Sequence, residues 1–442
     1  METRTLIAVM MTALVATGCG ESAKLPLNAD TGPNPQLPAP DTSVFTAVNF
    51  AHAIGWPEGR TPQAAKGTSV AAFARGLDHP RWLYVLPNGD VLVAESNAPS
   101  DEGESSIGGR IEHWVMDYAG AGVKSANRIS LLRDAGNGVA ETPRPFLQGL
   151  NSPFGMVLAG GKLYVANTDA LLSFPYADGD TKITASGTRI VDLPAHPIGH
   201  WTRNVIASRD GKLLYVTVGS GSNAGGRGME IEEGRAAIWE VDLATGKHRI
   251  FASGLRNPNG MAWEPQTGAL WTAVNERDGL GSDLVPDYMT SVTDGGFYGW
   301  PYSYYGRHVD TSVDPQRPDL VAKALIPDYA LGNHTASLGL AFSAGSALPP
   351  PFETGVFIGQ HGSWNRKPRS GYRVIFVPFS AGKPAGGPIV VLDGFLSDSG
   401  EAYGRPVGVA IDKRGALLVA DDVGNTVWRI TGSGANASTQ GK

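Results

Sequence analysis

One pattern recurs six times along this chain, and a repeat of that length restricts the fold more than any other feature of the sequence. In its clearest form it is a Gly-Leu, a polar pair beside a proline, an apolar run, a glycine turn and a second apolar run. Gly76-Leu77-Asp78-His79-Pro80 leads to residues 82–86, the Asn88-Gly89 turn and residues 91–94. Gly149-Leu150-Asn151-Ser152-Pro153 leads to 156–158, Gly160-Gly161 and 163–166, and Gly254-Leu255-Arg256-Asn257-Pro258 leads to 261–263, Gly268 and 270–274. Three further copies, at 200–218, 334–360 and 403–420, lack the Gly-Leu. Short apolar runs joined by glycine turns, repeated about every 50 to 80 residues, are expected of propeller blades. Six copies predict an all-β, six-bladed β-propeller of four-stranded blades. Composition agrees: 58 glycines and 31 prolines in 442 residues are about twice and one and a half times ordinary usage, without a collagen period.

Ring closure is also predicted. Residues 248–253 are expected to be the outer strand of the blade before the third full copy. The last copy ends at 426–430 as a third strand and lacks a fourth. Residues 70–75 resemble the missing strand and are expected to pair with 427–430, which would close the ring and remove exposed edges. The propeller is therefore assigned to 68–431.

The ends of the chain carry other messages. Arg4 precedes an apolar stretch at 6–16 and then Thr17-Gly18-Cys19. This resembles a bacterial lipoprotein signal occupying 1–19, with Cys19 as the lipidated residue; a buried or fortuitous cysteine is the alternative. The non-acidic Gly20 predicts outer-membrane sorting, so an exported protein, periplasmic or anchored in the outer membrane, is expected. The apolar run is too short to span a bilayer, which leaves a lipid anchor as the only membrane contact. Residues 20–67, rich in Pro, Asn, Ala and Gly, are expected to form a flexible tether, and 432–442 a disordered tail. With one cysteine there is no intramolecular disulfide. A net charge of −6 offers no basic stripe for nucleic acid.

The repeat also directs chemistry to one place. Innermost strands of a propeller all start at one face of the channel, so residues just before each first strand should converge there. Those positions hold Asn151, His200 and Arg203, Arg256 and Asn257, His334, and Arg405. Each alone has a bland reading as a turn-stabilising or channel-filling residue. Together, arginines and a histidine facing one space favour an anionic ligand beside a proton acceptor.

Three motifs carry a resemblance: Gly254-Leu255-Arg256-Asn257-Pro258-Asn259-Gly260, Asn275-Glu276, and Tyr298-Gly299-Trp300-Pro301. In their order, over residues 77–430, the chain resembles the glucose/sorbosone dehydrogenase family of soluble quinoprotein sugar dehydrogenases. The resemblance implies pyrroloquinoline quinone (PQQ) and calcium at one end of the channel. It puts His200, in Gly199-His200-Trp201, at the family's catalytic base. Arg256 and Asn257 would hold the quinone end and its carboxylates, with Arg256 also aiding catalysis. The backbone carbonyls of Asp278 and Gly279 would bind calcium, although the family's Gly-Pro is absent there and the other reading of 278–283 is a solvated turn. Arg405 matches the second arginine of an Arg-x-Arg pair in which Tyr403 replaces the first. Asn151 lies near the family's glutamine-bearing loop. A family lysine is missing, because the chain reads Phe357-Ile358-Gly359-Gln360; Arg366 or Lys367 would have to replace its charge.

The chemistry needs no resemblance to be stated. Oxidising a sugar hydroxyl or hydrated aldehyde takes a base for the O–H proton and an electrophile for the hydride. No side chain supplies the second, so a cofactor is required. Tyr302, Tyr304, Tyr305, His361, Trp364 and Asn365 are expected around a sugar pocket, with packing between blades the alternative, above all for Tyr298 and Trp300. The function expected is PQQ- and calcium-dependent oxidation of an aldose or aldosone by hydride transfer to the quinone. A quinone pool or a periplasmic cytochrome would be the electron acceptor. A calcium-dependent lactone hydrolase and a non-catalytic sugar-binding propeller are the alternatives.

Overall fold

The computed structural model describes residues 21–41, 47–99 and 116–433. The expected signal segment with Cys19, and the part of the expected tail beyond 433, lie outside the described residues. Among those described, no helix is long and apolar enough to cross a membrane.

Six four-stranded antiparallel blades follow in chain order. Blade 1 is Pro80–Val85, Val91–Glu95, Arg128–Leu132 and Arg144–Gln148; blade 2 is Met156–Ala159, Lys162–Ala166, Ala170–Pro175 and Thr188–Asp192. Blade 3 is Val205–Ala207, Leu213–Val218, Ala237–Asp242 and His248–Ser253. Blade 4 is Asn257–Trp263, Leu270–Asn275, Pro286–Ser291 and Tyr329–Asn333; blade 5 is Ser337–Phe342, Gly355–Gln360, Arg373–Ser380 and Ile389–Asp393. Blade 6 takes Pro406–Ile411, Leu417–Asp421 and Thr426–Gly432 from the C-terminal end and Thr68–Arg75 from the N-terminal side. The register Thr426↔Arg75, Val427↔Ala74 and Ile430↔Val70 is the predicted closure.

Burial explains the strand sequences. Second strands are covered on both faces by neighbouring blades, so Val91–Glu95, Gly355–Gln360 and Leu417–Asp421 are buried throughout. Outer strands such as Thr188–Asp192 and His248–Ser253 face solvent and are mostly polar or exposed. Six apolar clusters fill the six blade-to-blade interfaces. The one that seals the ring joins Phe73, Leu77, Leu418 and Val427 to Leu83, Val91 and Val93. Near the axis, glycines let innermost strands touch. A Cβ on Gly260 would sit 2.6 Å from Leu338 O, and one on Gly408 would sit 2.8 Å from Arg81 O. This tight inner packing pushes open space out to the channel rim.

The expected tether needs correction. Residues 21–41 and 47–67 lie against the propeller rather than hanging from it. Thr31–Gly32 pairs with Tyr329–Asn333, and Gln63–Ala64 with Ile389–Asp393, so each extends a blade. Asp283 accepts from the backbone N–H groups of Lys24 and Leu25, the second at 3.0 Å. Arg369 donates to the carbonyls of Asn49 and Phe50. A Pro- and Asn-rich composition removes periodicity but not the backbone groups that can pair with an open outer strand.

Candidate active site

In an antiparallel inner hairpin, the start of the first strand and the end of the second reach the same rim, as Asn257↔Asn275 and Pro406↔Asp421 illustrate. Each blade thus sends two sets of residues to one face. Besides His200, Arg256, Asn257, His334 and Arg405, the rim carries Ser220 and Asn223 after the second strand of blade 3 and Glu276 and Asp278 after that of blade 4. His361 and Asp422 arrive in the same way from blades 5 and 6.

His200 is half-buried at a cavity of about 620 Å³ that is also lined by Ser222, Asn223, Arg227 and Arg256. That volume suits a drug-sized or cofactor-sized ligand. A second cavity, about 480 Å³ between the outer strand of blade 1 and the third strand and 182–187 loop of blade 2, has Lys182 as its one charged residue, so the chemistry belongs at the rim. The imidazole Nδ1 lies 3.0 Å from Ser220 O and 3.1 Å from Ser220 Oγ. A carbonyl can only accept, and the Ser220 hydroxyl spends its proton on Ser222 O at 2.7 Å. The ring proton is therefore on Nδ1, and Nε2 carries the free lone pair. Burial first, and the Arg256 charge second, push the His200 pKa down to about 3. The ring is a neutral acceptor at pH 7.

Arg203, expected at the rim, is instead a structural brace. It is buried and donates to the carbonyls of Pro194, His200 and Thr202, which shapes the loop holding His200. Burial and then the nearby Arg235 charge pull its pKa down to about 9.

Arg256 forms the opposite wall. Its guanidinium donates to Asn223 O at 3.1 Å, Asn223 Oδ1 at 2.9 Å and Glu276 O at 2.5 Å, and meets Asp278 Oδ2 at 3.3 Å. Asp278 also accepts from Asn365 Nδ2 at 2.8 Å and lies 3.5 Å from His334 Nδ1. Burial alone would raise the Asp278 carboxyl, but the His334 contact and Arg256 outweigh it and bring the pKa down to about 2. Asn257 is buried with Oδ1 unpartnered. A Cβ on Gly219 would sit 2.4 Å from that oxygen and 2.6 Å from His200 Cβ, so glycine is what lets Asn257 and His200 pack this closely against the strand end.

A second buried cluster lies where blades 5, 6 and 1 meet. Asp422 accepts from Arg81 and, at 2.8 Å, lies against His361 Nε2, with His79 Nε2 3.4 Å away. Burial pushes His361 down to about 4 despite Asp422. Arg405 is adjacent, donating to Tyr372 OH at 2.7 Å, and its Nε is buried without a partner.

Several expectations are corrected. Asn151 is exposed and donates to Asp169 Oδ1 at 2.9 Å, away from the cluster. Tyr403 accepts from Arg60 at 2.8 Å and lies under that guanidinium and beside Trp56; the N-terminal segment occupies it. The Asp278 carbonyl, expected on calcium, accepts from Asn223 Nδ2 at 2.9 Å and from Arg277 Nε and Nη2 at 3.0 and 2.9 Å. A guanidinium there repels a cation, so that ligand assignment does not fit. Gly279 continues the same turn at φ +87°. Arg366 donates to Ser282 O and Pro368 O, and Gln360, in the lysine's place, is buried against Leu331 O and Arg373. Tyr304 and Tyr305 belong to the core between blades 3 and 4, while Trp364 stacks on Phe50 at 5.5 Å.

Fold and site together define a six-bladed propeller whose rim cavity sets a neutral imidazole beside a buried guanidinium. The chain belongs to the TrAA12-like family, whose profile matches residues 62–290 and 320–433. It is 23% identical over 373 residues to a pyrroloquinoline quinone-dependent pyranose dehydrogenase of Coprinopsis cinerea, covering 74% of this chain and 46% of that protein. A pyrroloquinoline quinone-dependent sugar dehydrogenase of Hypocrea jecorina is 22% identical over 271 residues, covering 55% and 57%. The chain spans about half the length of the curated relatives it matches. Among solved structures, the PQQ domain of the Coprinopsis pyranose dehydrogenase superposes with a TM-score of 0.67 at 23% identity, covering 86% of this chain and all of that one. These likenesses bear out the fold and the resemblance drawn from the motifs.

Proposed function

We propose that the protein oxidises an aldose or related sugar aldehyde with PQQ bound at the rim cavity, using His200 as the base. The observation that carries this reading is the imidazole whose tautomer Ser220 dictates, with Nε2 free in a cavity that also holds Arg256. Arg256, Asn257 and Arg405 would hold the cofactor: its three carboxylates suit buried guanidinium groups, and the unpartnered Asn257 Oδ1 and Arg405 Nε are buried polar atoms awaiting a partner. Bound there, the quinone would supply the electrophile that takes the electrons and hydrogen leaving the substrate carbon. His200 Nε2 takes the hydroxyl proton. An anion on Arg256 offsets the larger of the two positive charges that, with burial, hold His200 below its ordinary pKa, which strengthens the base when the cofactor is present. No step is assigned to calcium.

Titrating the purified apoprotein with PQQ, with and without calcium, tests the proposal. A saturable absorbance change and dye-linked oxidation of an aldose panel are expected. No absorbance change at any concentration would end this reading and favour a non-catalytic sugar-binding propeller. Relatives named as pyranose and sugar dehydrogenases support the substrate class.

The same reading includes export and lipidation at Cys19, followed by electron delivery to a membrane quinone pool or a periplasmic cytochrome. Wild type should incorporate labelled palmitate in a bacterial host, and Cys19→Ala should not. Label that persists in the variant would remove the anchor from the proposal.

A further inference from the structure

The polar wall of the cavity depends on a residue that no motif marks. Asn223 is exposed to the cavity, yet both ends of its amide are in use. Oδ1 accepts from Arg256 Nη2 and from the Asp278 backbone N–H, each at 2.9 Å, and Nδ2 donates to the Asp278 carbonyl at 2.9 Å. Its own carbonyl accepts from Arg256 Nε at 3.1 Å and Trp300 Nε1 at 2.9 Å. A guanidinium and an amide N–H only donate, and a carbonyl only accepts, so these partners leave the amide one orientation.

We infer that Asn223 is the positioning residue of the anion-binding wall, holding the Arg256 guanidinium and the 276–279 turn as one unit facing His200. Without the amide, Arg256 loses the Nη2 contact to Oδ1 while keeping its bonds to the Asn223 and Glu276 carbonyls, and the charged neighbour of the freed Nη2 is the Asp278 carboxylate at 3.3 Å. The guanidinium then turns toward a bidentate pair with Asp278, which is the geometry Arg and carboxylate favour. Its charge becomes neutralised and is drawn away from both His200 and an incoming carboxylate. The affinity part of this inference rests on the quinone reading above; the effect on His200 does not.

Two measurements on the full-length protein test it. His200 titration is followed by NMR in the free protein, where the charged groups acting on the ring are Arg256, Asp278 and Arg203. PQQ affinity is followed by tryptophan fluorescence. Asn223→Ala should raise the His200 pKa toward the value in Arg256→Ala and weaken PQQ binding about ten- to a hundredfold. The isosteric Asn223→Asp, which cannot donate to the Asp278 carbonyl, should lose at least as much affinity. Wild-type His200 titration and PQQ affinity in both variants would overturn the inference. If Arg256→Ala also binds PQQ like wild type while Asn223→Ala still moves His200, the positioning role stands and the quinone reading fails.

Discussion

His200→Ala should lower turnover by about 10²- to 10⁴-fold, the usual value of a positioned general base, while PQQ affinity stays within about threefold. The two halves of the expectation come from separate parts of the rim. His200 reaches the cavity through Nε2 and is fixed by Ser220 on blade 3. The groups suited to the cofactor's carboxylates, Arg256 and Arg405, come from the starts of blades 4 and 6. Removing the imidazole also relieves no charge, because the ring is neutral in the free protein. Arg256→Ala should fail the other way, weakening PQQ about ten- to a hundredfold. The checks are steady-state oxidation at saturating PQQ and absorbance titration of each variant. Near-wild-type turnover in His200→Ala would remove this residue from the mechanism.

The blades were legible because each repeat carries its own punctuation, and the closing strand because a ring cannot leave one blade short. His200, Arg256 and Asn257 were legible for the same reason: each stands beside the first strand of a copy. Ser220, Asn223 and Asp422 follow second strands, where no Gly-Leu or proline marks the position; Asp278, also after a second strand, was reached only through the family resemblance and in another role. Antiparallel pairing would have pointed to them, since whatever follows a second strand shares a rim with whatever precedes the first. Asn151 shows the converse failure: it occupies the right place in the repeat, but Asp169 lies closer than the axis and takes its amide. Tyr403 and the 20–67 segment failed together. A stretch without periodicity conceals that Trp56 and Arg60 cover the rim at blade 6, so the position where the family has an arginine is already occupied from outside the repeat.

Asp422→Ala should cost about 3 to 5 kcal/mol of stability, the usual penalty for removing one partner of a buried charge pair. Its carboxylate is buried against Arg81, whose own side chain is nearly sealed, while His361 and His79 are both held below their ordinary pKa, with burial the leading cause. Arg81 is the permanently charged partner in hydrogen-bond contact with the carboxylate. Asp422→Ala leaves that guanidinium charged and unpaired. Asp422→Asn, which can still accept from Arg81 and His361, should lose less. Adding Arg81→Met to Asp422→Ala should recover part of the loss, since an apolar replacement removes the stranded charge. The pH dependence follows from the sign of the shift. Asp422 is held far below the ordinary carboxylate range, so its contribution is complete above about pH 4 and disappears only as pH falls through the lower folded-state value. The gap between wild type and Asp422→Ala should thus be flat from about pH 5 to 9 and narrow in strong acid. Urea unfolding across that range decides it: a gap below about 0.5 kcal/mol at pH 7 would mean that Arg81 finds another partner.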